Sequence, residues 1–172
     1  MIRQRQLGDL TALATLTEEV HAADGYPHAI PPDLTAFFFP EDLLAAAVID
    51  DAGTIIGHAA LKVTMGGSGA MDLVGRATGR SLDELAVLTR VMTHPSARGR
   101  GLVRDLTEWA IAAAAALRRR TWLLVDAEST SAIACYAACH FSSVGSVEVT
   151  FGDGAVVPHL VMVRPELGHT TT

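Results

Sequence analysis

The segment HPSARGRGLVRDL, residues 94–106, narrows the folds open to this chain more than any other stretch. It follows a β-rich run, DELAVLTRVMT. It opens an amphipathic helix on which Val103, Leu106, Ala110, Ala113 and Leu117 recur at steps of three and four. The turn between them can be a tight connection that needs flexible residues, or a loop that holds phosphate. A helix N-terminus leaves its first amides without helical partners and carries partial positive charge. Glycines ahead of it let the main chain approach a ligand, which suits a pyrophosphate. Arg98 and Arg100 add positive charge and can pair with phosphate oxygens. No GK[ST] follows, which argues against a P-loop, and the third glycine of a dinucleotide fingerprint is missing.

The remaining chain reads as short elements around this one. IRQRQL is a first strand. GDLTALATLTEEVHAA is a helix with Asp9 at its N-cap. DGYPHAIPPD is a loop, and LTAFFFPEDLLAA a short helical region broken at Pro40. AAAVIDDAGTIIGHAALKV folds as a hairpin. TMGGSGAMDLVGRATGR, rich in glycine, reads as a long loop, and Gly66 to Gly79 is a candidate lid. TWLLV is a strand and STSAIACYAACHF a helix. SSVGSVEVTF and AVVPHLVMVRP are strands joined by GDG. The order β, α, α, β, β, β, α, β, α, β, β predicts an α/β (α+β) chain, a mixed sheet with helices over it. With no repeat and no linker, residues 1–172 are expected to form one domain.

Composition limits the function. At 49% apolar residues the chain folds as a globule. A formal charge of −6 argues against nucleic acid as the main partner and is compatible with a cationic small substrate. No apolar run is long enough to span a bilayer, and IRQRQ after Met1 lacks a signal-peptide core. A cytoplasmic protein without a membrane partner is expected. Cys135 and Cys139, four apart on a helix, read as two reduced thiols. A metal site would lack further ligands nearby, so no metal is expected.

The segment RVMTHPSARGRGLVRDLTEWA resembles the central motif of the GCN5-related N-acetyltransferases (GNAT). There a strand leads into [Q/R]-x-x-G-x-[G/A] and a helix, and Arg98, Gly101 and Val103 stand at the three named positions. LLVDAESTSAIACYAACHF is similar to the family's next strand and helix, with Val125, Ala132, Tyr136 and Phe141 in place. IIGHAAL resembles its third strand, and IRQRQLGDLTAL its opening. The likeness covers nearly the whole chain in order. Three positions depart from the pattern. Val103 replaces Gly or Ala, Ser129 replaces Asn, and His140 replaces the Gly before Phe141, where a positive φ is expected.

The resemblance implies a mostly antiparallel central sheet with helices on both faces, and direct acetyl transfer from acetyl-CoA to an amine. Main-chain groups of Met92 and Thr93 would meet the pantetheine arm. Amides of Arg98, Gly99, Arg100, Gly101, Leu102 and Val103 would hold the pyrophosphate, and Ser129 keeps a hydroxyl beside the cofactor. Tyr136 would give the departing thiolate its proton. Glu84 is the first candidate to take the amine's proton, with Asp126, Glu128 or a water as rivals. A covalent route through Cys135 or Cys139 is disfavoured, since neither has a basic partner in its segment. His21, Asp24, Tyr26 and His28, with Asp33, lie where the family shapes its acceptor pocket. His58 reads as a core histidine and His94 as a turn residue. The leading expectation is N-acetylation of a primary amine on a small molecule. The alternatives are a protein lysine or N-terminal acetyltransferase, and a non-catalytic CoA-binding module. Oligomeric state stays open; a homodimer is compatible, since many relatives are dimers.

Overall fold

The computed structural model describes residues 1–65 and 68–165 of the chain. Its frame is a seven-stranded sheet in the order β1-β2-β3-β4-β5-β7-β6. The strands are β1 (Ile2–Gln4), β2 (Leu43–Asp51), β3 (Thr54–Lys62), β4 (Leu85–Thr93), β5 (Arg120–Asp126), β6 (Ser142–Thr150) and β7 (Val156–Val163), with the most apolar runs in β2 to β5 and β7. Neighbouring strands are antiparallel except β4 and β5, which run parallel. A parallel pair needs a crossover. The helix that supplies it comes fourth in the chain, after α1 (Leu10–Asp24), α2 (Leu34–Phe38) and α3 (Ser68–Thr78). It is α4 (Leu102–Ala116), and α5 (Thr130–Ala138) follows β5.

The helices cover both faces because side chains alternate along each strand. Ala86 and Leu88 of β4 face α4, which buries Leu106, Ala110 and Ala114 there with Leu123, Val125, Tyr136 and Phe141. Leu85 and Val87 face the other way, where Ala70 and Val74 of α3 pack with Trp122, Val161 and Val163. Beside α3 on that face, Leu13, Leu16 and Val20 of α1 join Phe38 over Val48, Ile55 and Met92.

Met92 breaks the alternation. It lies an even number of residues after Leu88, yet packs on the opposite face. The register explains this: Ala60 pairs with Thr89, but His58 pairs with Met92, so β4 carries one extra residue. The extra residue reverses which face later side chains meet. Arg90 absorbs the kink at φ 53. Buried His58 holds it there, its Nδ1 lying 2.8 Å from the Arg90 carbonyl and its Nε2 2.9 Å from Arg5 Nη1. A guanidinium only donates, so Nε2 accepts and Nδ1–H donates to the carbonyl. Burial, with Arg5 and Arg90 nearby, lowers His58 to about 3 and keeps the ring neutral.

The structure departs from the sequence reading at several points. Residues 43–46, read as helical after Pro40, are the start of β2, because they pair with β3. Residues 68–78 are helical rather than a loop, because Ala70 and Val74, one turn apart, bury against β4 and β5 despite the glycines around them. Gly66, at the start of the expected lid, lies outside the described residues. Leu117 is exposed at the C-cap of α4 rather than on its buried face. Asp9 sits at the N-cap of α1 but makes no cap bond; its carboxylate takes Arg3 at 2.7 Å and the Gln6 amide at 2.7 Å.

Candidate active site

β4 and β5 pair only from Leu85–Leu88 to Arg120–Leu123. Beyond that β4 stays with β3 and β5 with β7, so the two strands part. The gap opens into a cleft of about 1470 Å³. Common single-ligand pockets hold roughly 300–1,000 Å³, so this one has room for two substrates side by side. One end is walled by Met92, Thr93, Gly99, Gly101, Val103 and Ser129. The other is walled by Tyr26, His28, Phe37, Lys62, Phe151 and His159.

At the first end, a 3-10 turn (Pro95–Ala97) leads into α4. His94 caps that turn, its Nδ1 accepting from the Ser96 amide at 3.1 Å. Gly99 and Gly101 then take φ of 75 and 78, which glycine adopts without strain. A Cβ at either would meet no heavy atom within 4 Å, so the surface above them is bare main chain. Gly101 is the N-cap of α4 and offers no side chain to its free amides. Leu102 and Val103 begin the helix on the cleft wall, and Val103 also packs against the core beneath α4. This is a cradle that fits a diphosphate. The sequence expects Arg98 and Arg100 to add side-chain charge to it; the structure gives both to carboxylates. Arg98 pairs with Asp24, and both Nη atoms of Arg100 lie 3.1 Å from Asp51, turned toward the β2–β3 hairpin.

Ser129 stands at the N-cap of α5 without a side-chain cap bond and borders the cleft. About two turns further along, Tyr136 also borders the cleft. Its ring meets Phe141 edge-on at 6.2 Å, and the residue is buried. Burial raises its phenol above the ordinary value, helped by Tyr26 and the two thiols, so it holds a proton it can give. His140 supplies the turn after α5 at φ 67, the conformation expected of the glycine it replaces.

Glu84 is not at this site. It ends a 3-10 turn (Leu82–Glu84) where β4 begins, while the cleft is lined by the later part of that strand, from Leu88 to Thr93. At about 3.3 Å per residue, Leu88, the nearest of these, is roughly 13 Å on. Glu84 is held by Arg80 at 2.6 Å and the Ser81 amide at 3.1 Å, which bring its carboxyl down to about 2. Among its rivals Asp126 borders the cleft and Glu128 does not. Asp126 accepts the Glu128 amide at 2.8 Å. Cys135 borders the cleft and Cys139 is buried; burial raises both thiols, which makes them poor nucleophiles.

At the other end, Tyr26 and His28 face the cleft, and Asp24 lines it while paired with Arg98. His28 stacks on Phe151 at 4.2 Å and bonds Asp153 at 2.9 Å, joining the two walls. His21 instead supports the loop, its Nδ1 donating to the Pro27 carbonyl at 2.8 Å. Asp33 caps α2 by accepting the Ala36 amide at 2.9 Å. Gly69 and Ala70 of α3 form part of the wall rather than a lid. Among the described residues no group of His, Cys, Asp or Glu is placed to hold a metal, and no helix is long and apolar enough to cross a membrane.

Residues 11–141 match the acetyltransferase (GNAT) family. This chain belongs to the GNAT family. The acetyltransferase is similar in fold to a GCN5-related N-acetyltransferase from Kribbella flavida, at 24% identity and TM-score 0.67 over 96% of each chain. It is also similar to the Salmonella typhimurium protein yncA, solved with its cofactor acetyl-CoA. Identity there is 16% and TM-score 0.70, over 100% of this chain and 96% of that one. The ribosomal-protein-S18-alanine N-acetyltransferase of Escherichia coli gives 20% identity and TM-score 0.69, over 100% and 98%. No curated protein sequence matches it.

Sequence reasoning missed Arg90 and His159, both in the acetyltransferase's cleft wall. The available signal was a polar residue inside an apolar strand, LTRVMT for one and VVPHLVMV for the other. His159 Nδ1 lies 3.0 Å from the Val157 carbonyl. A carbonyl only accepts, so Nδ1 donates in this bond, which makes Nε2 the nitrogen with the lone pair in the neutral ring.

Proposed function

We propose that this enzyme moves the acetyl group of acetyl-CoA to a primary amine of a small molecule. One observation carries the reading. The side-chain-free cradle at Gly99–Gly101 and the buried Tyr136 phenol share one cleft, which opens where β4 and β5 part. Membership of the GNAT family supports the same reaction, as does the likeness to a protein solved with acetyl-CoA.

Amides from Gly99 to Val103 would hold the diphosphate, with main-chain groups of Met92 and Thr93 along the pantetheine arm and the Ser129 hydroxyl beside it. Bound acetyl-CoA supplies an acetyl thioester. Tyr136 gives a proton to the leaving sulfur. His159 takes the amine's proton at Nε2 in place of Glu84. The thiols take no part.

The His28–Phe151 contact favours a small acceptor, since it bridges the walls where a peptide would need an open groove. The test is release of free CoA from acetyl-CoA across a panel of small amines, beside an array of peptides. Thiol release with small amines supports the proposal. Acetylation of peptides alone overturns its small-molecule part, and release with neither overturns the activity. A His159→Asn variant should lose about 100-fold in kcat with CoA affinity unchanged; an unchanged kcat would remove His159 from the role.

A further inference from the structure

Arg90 is the cation in the cleft whose charge the protein does not match. Its Nε and Nη1 are enclosed and have no hydrogen-bond partner among the described residues. The guanidinium lies 4.3 Å from the centre of the Phe37 ring, which steers it without neutralising it. The other cations of the wall are matched. Arg98 has Asp24, Arg104 has Glu108 at 2.8 Å, and Lys62 has Asp42 at 3.2 Å. Asp42 attracts Arg90 from a distance, but its second oxygen is taken by the Thr64 hydroxyl at 2.8 Å and the Thr64 amide at 3.2 Å.

This is notable in a chain with 19 acidic and 13 basic side chains, where carboxylates are plentiful. An enclosed guanidinium without an anion is costly, and arginine cannot relieve the cost by giving up its proton. The backbone leaves it little choice of place. The bulge fixes Arg90 at φ 53, and His58 grips its carbonyl. Beside it, the Tyr26 hydroxyl meets the Arg90 main chain, and 39% of the residue is exposed. It adds a hydroxyl donor. A planar fork of donors next to a hydroxyl matches a carboxylate better than an ammonium group.

We infer that Arg90 and Tyr26 form an oxyanion subsite in the acceptor half of the cleft, so the amine acetylated here also carries a carboxylate or a similar oxyanion. The inference rests on the acetyltransferase reading above and narrows its substrate to amino-acid-like amines. Net charge is compatible with a cationic substrate, and the subsite adds an anionic group to it.

The experiment compares matched amines: amino acids, the same amino acids as primary amides, and their aminophosphonate counterparts. Release of CoA should favour the acids over the amides by about 10- to 100-fold in kcat/KM, the range for a lost charged hydrogen bond. Arg90→Gln should erase that preference, and Arg90→Lys should restore part of it. Preference for aminophosphonates over carboxylates would keep the subsite and change the anion. Equal turnover of acids and amides overturns the inference while leaving the transferase reading intact. Calorimetry with N-acetylated amino acids reads the subsite without turnover. Binding that Arg90→Gln abolishes supports it even if no amine reacts, and equal binding to both proteins overturns it.

Discussion

Gly101→Ala separates the cradle from the fold. Gly101 sits at φ 78, and an added Cβ meets no atom within 4 Å, so the cost is conformational rather than steric. An alanine held in the left-handed region costs about 1–2 kcal/mol. For a chain of this size that lowers Tm by roughly 2–8 °C. Gly53 is the control: it has φ 91, equally open space, and a place in the β2–β3 hairpin outside the cleft wall. Gly53→Ala should lose a similar amount of stability. Only Gly101→Ala puts a methyl group on the surface where phosphate would rest. Thermal melts and calorimetry with CoA measure both effects. We expect similar falls in Tm, with CoA affinity at least about 10-fold weaker for Gly101→Ala alone, as for one lost charged hydrogen bond. Equal CoA affinity in the two variants, with both folded, would refute the phosphate cradle.

Tyr136→Phe should lower kcat by about 100-fold with CoA affinity unchanged, read by single-turnover thiol release. Because burial raises the phenol, wild-type kcat should show no alkaline fall below pH 10 from this group; a fall that disappears in the variant would contradict the assignment. His58→Gln tests the bulge support. Folded His58 titrates at about 3 against an ordinary 6.5, so its contribution is full above pH 6.5 and is lost as pH falls toward 3. Denaturant melts should show wild type losing about 1.4 kcal/mol per pH unit more than the variant in that window. Glu84→Gln should leave kcat/KM within about 2-fold, as a surface change does; a loss of 100-fold would return Glu84 to the mechanism.

What could be read in advance was local. The spacing of Leu106, Ala110 and Ala114 marks α4, and the apolar run of TWLLV marks β5, because each pattern is set within a few residues. Tyr136 and the glycine turn were legible for the same reason. α3 was hidden because Gly69 and Gly75 masked a buried pair that only the sheet reveals. Glu84 was misplaced because sequence gives the start of β4 but not which end of the strand faces the gap. Arg90 was missed because a bulge belongs to a pair of strands. Its extra residue shows only when Ala60 and His58 are matched to their partners.

That extra residue sets a rule for redesign. Removing one residue near Arg90 would turn Met92 out of the α1 layer and toward α4, exchanging the lining of two compartments in a single edit. Acceptor preference can therefore be recast through the α1–α2 connection or the β6–β7 tip, whose lengths do not govern the phase of β4. The length of β4 itself must be kept, because it decides which side chains meet the α1 layer and which meet α4.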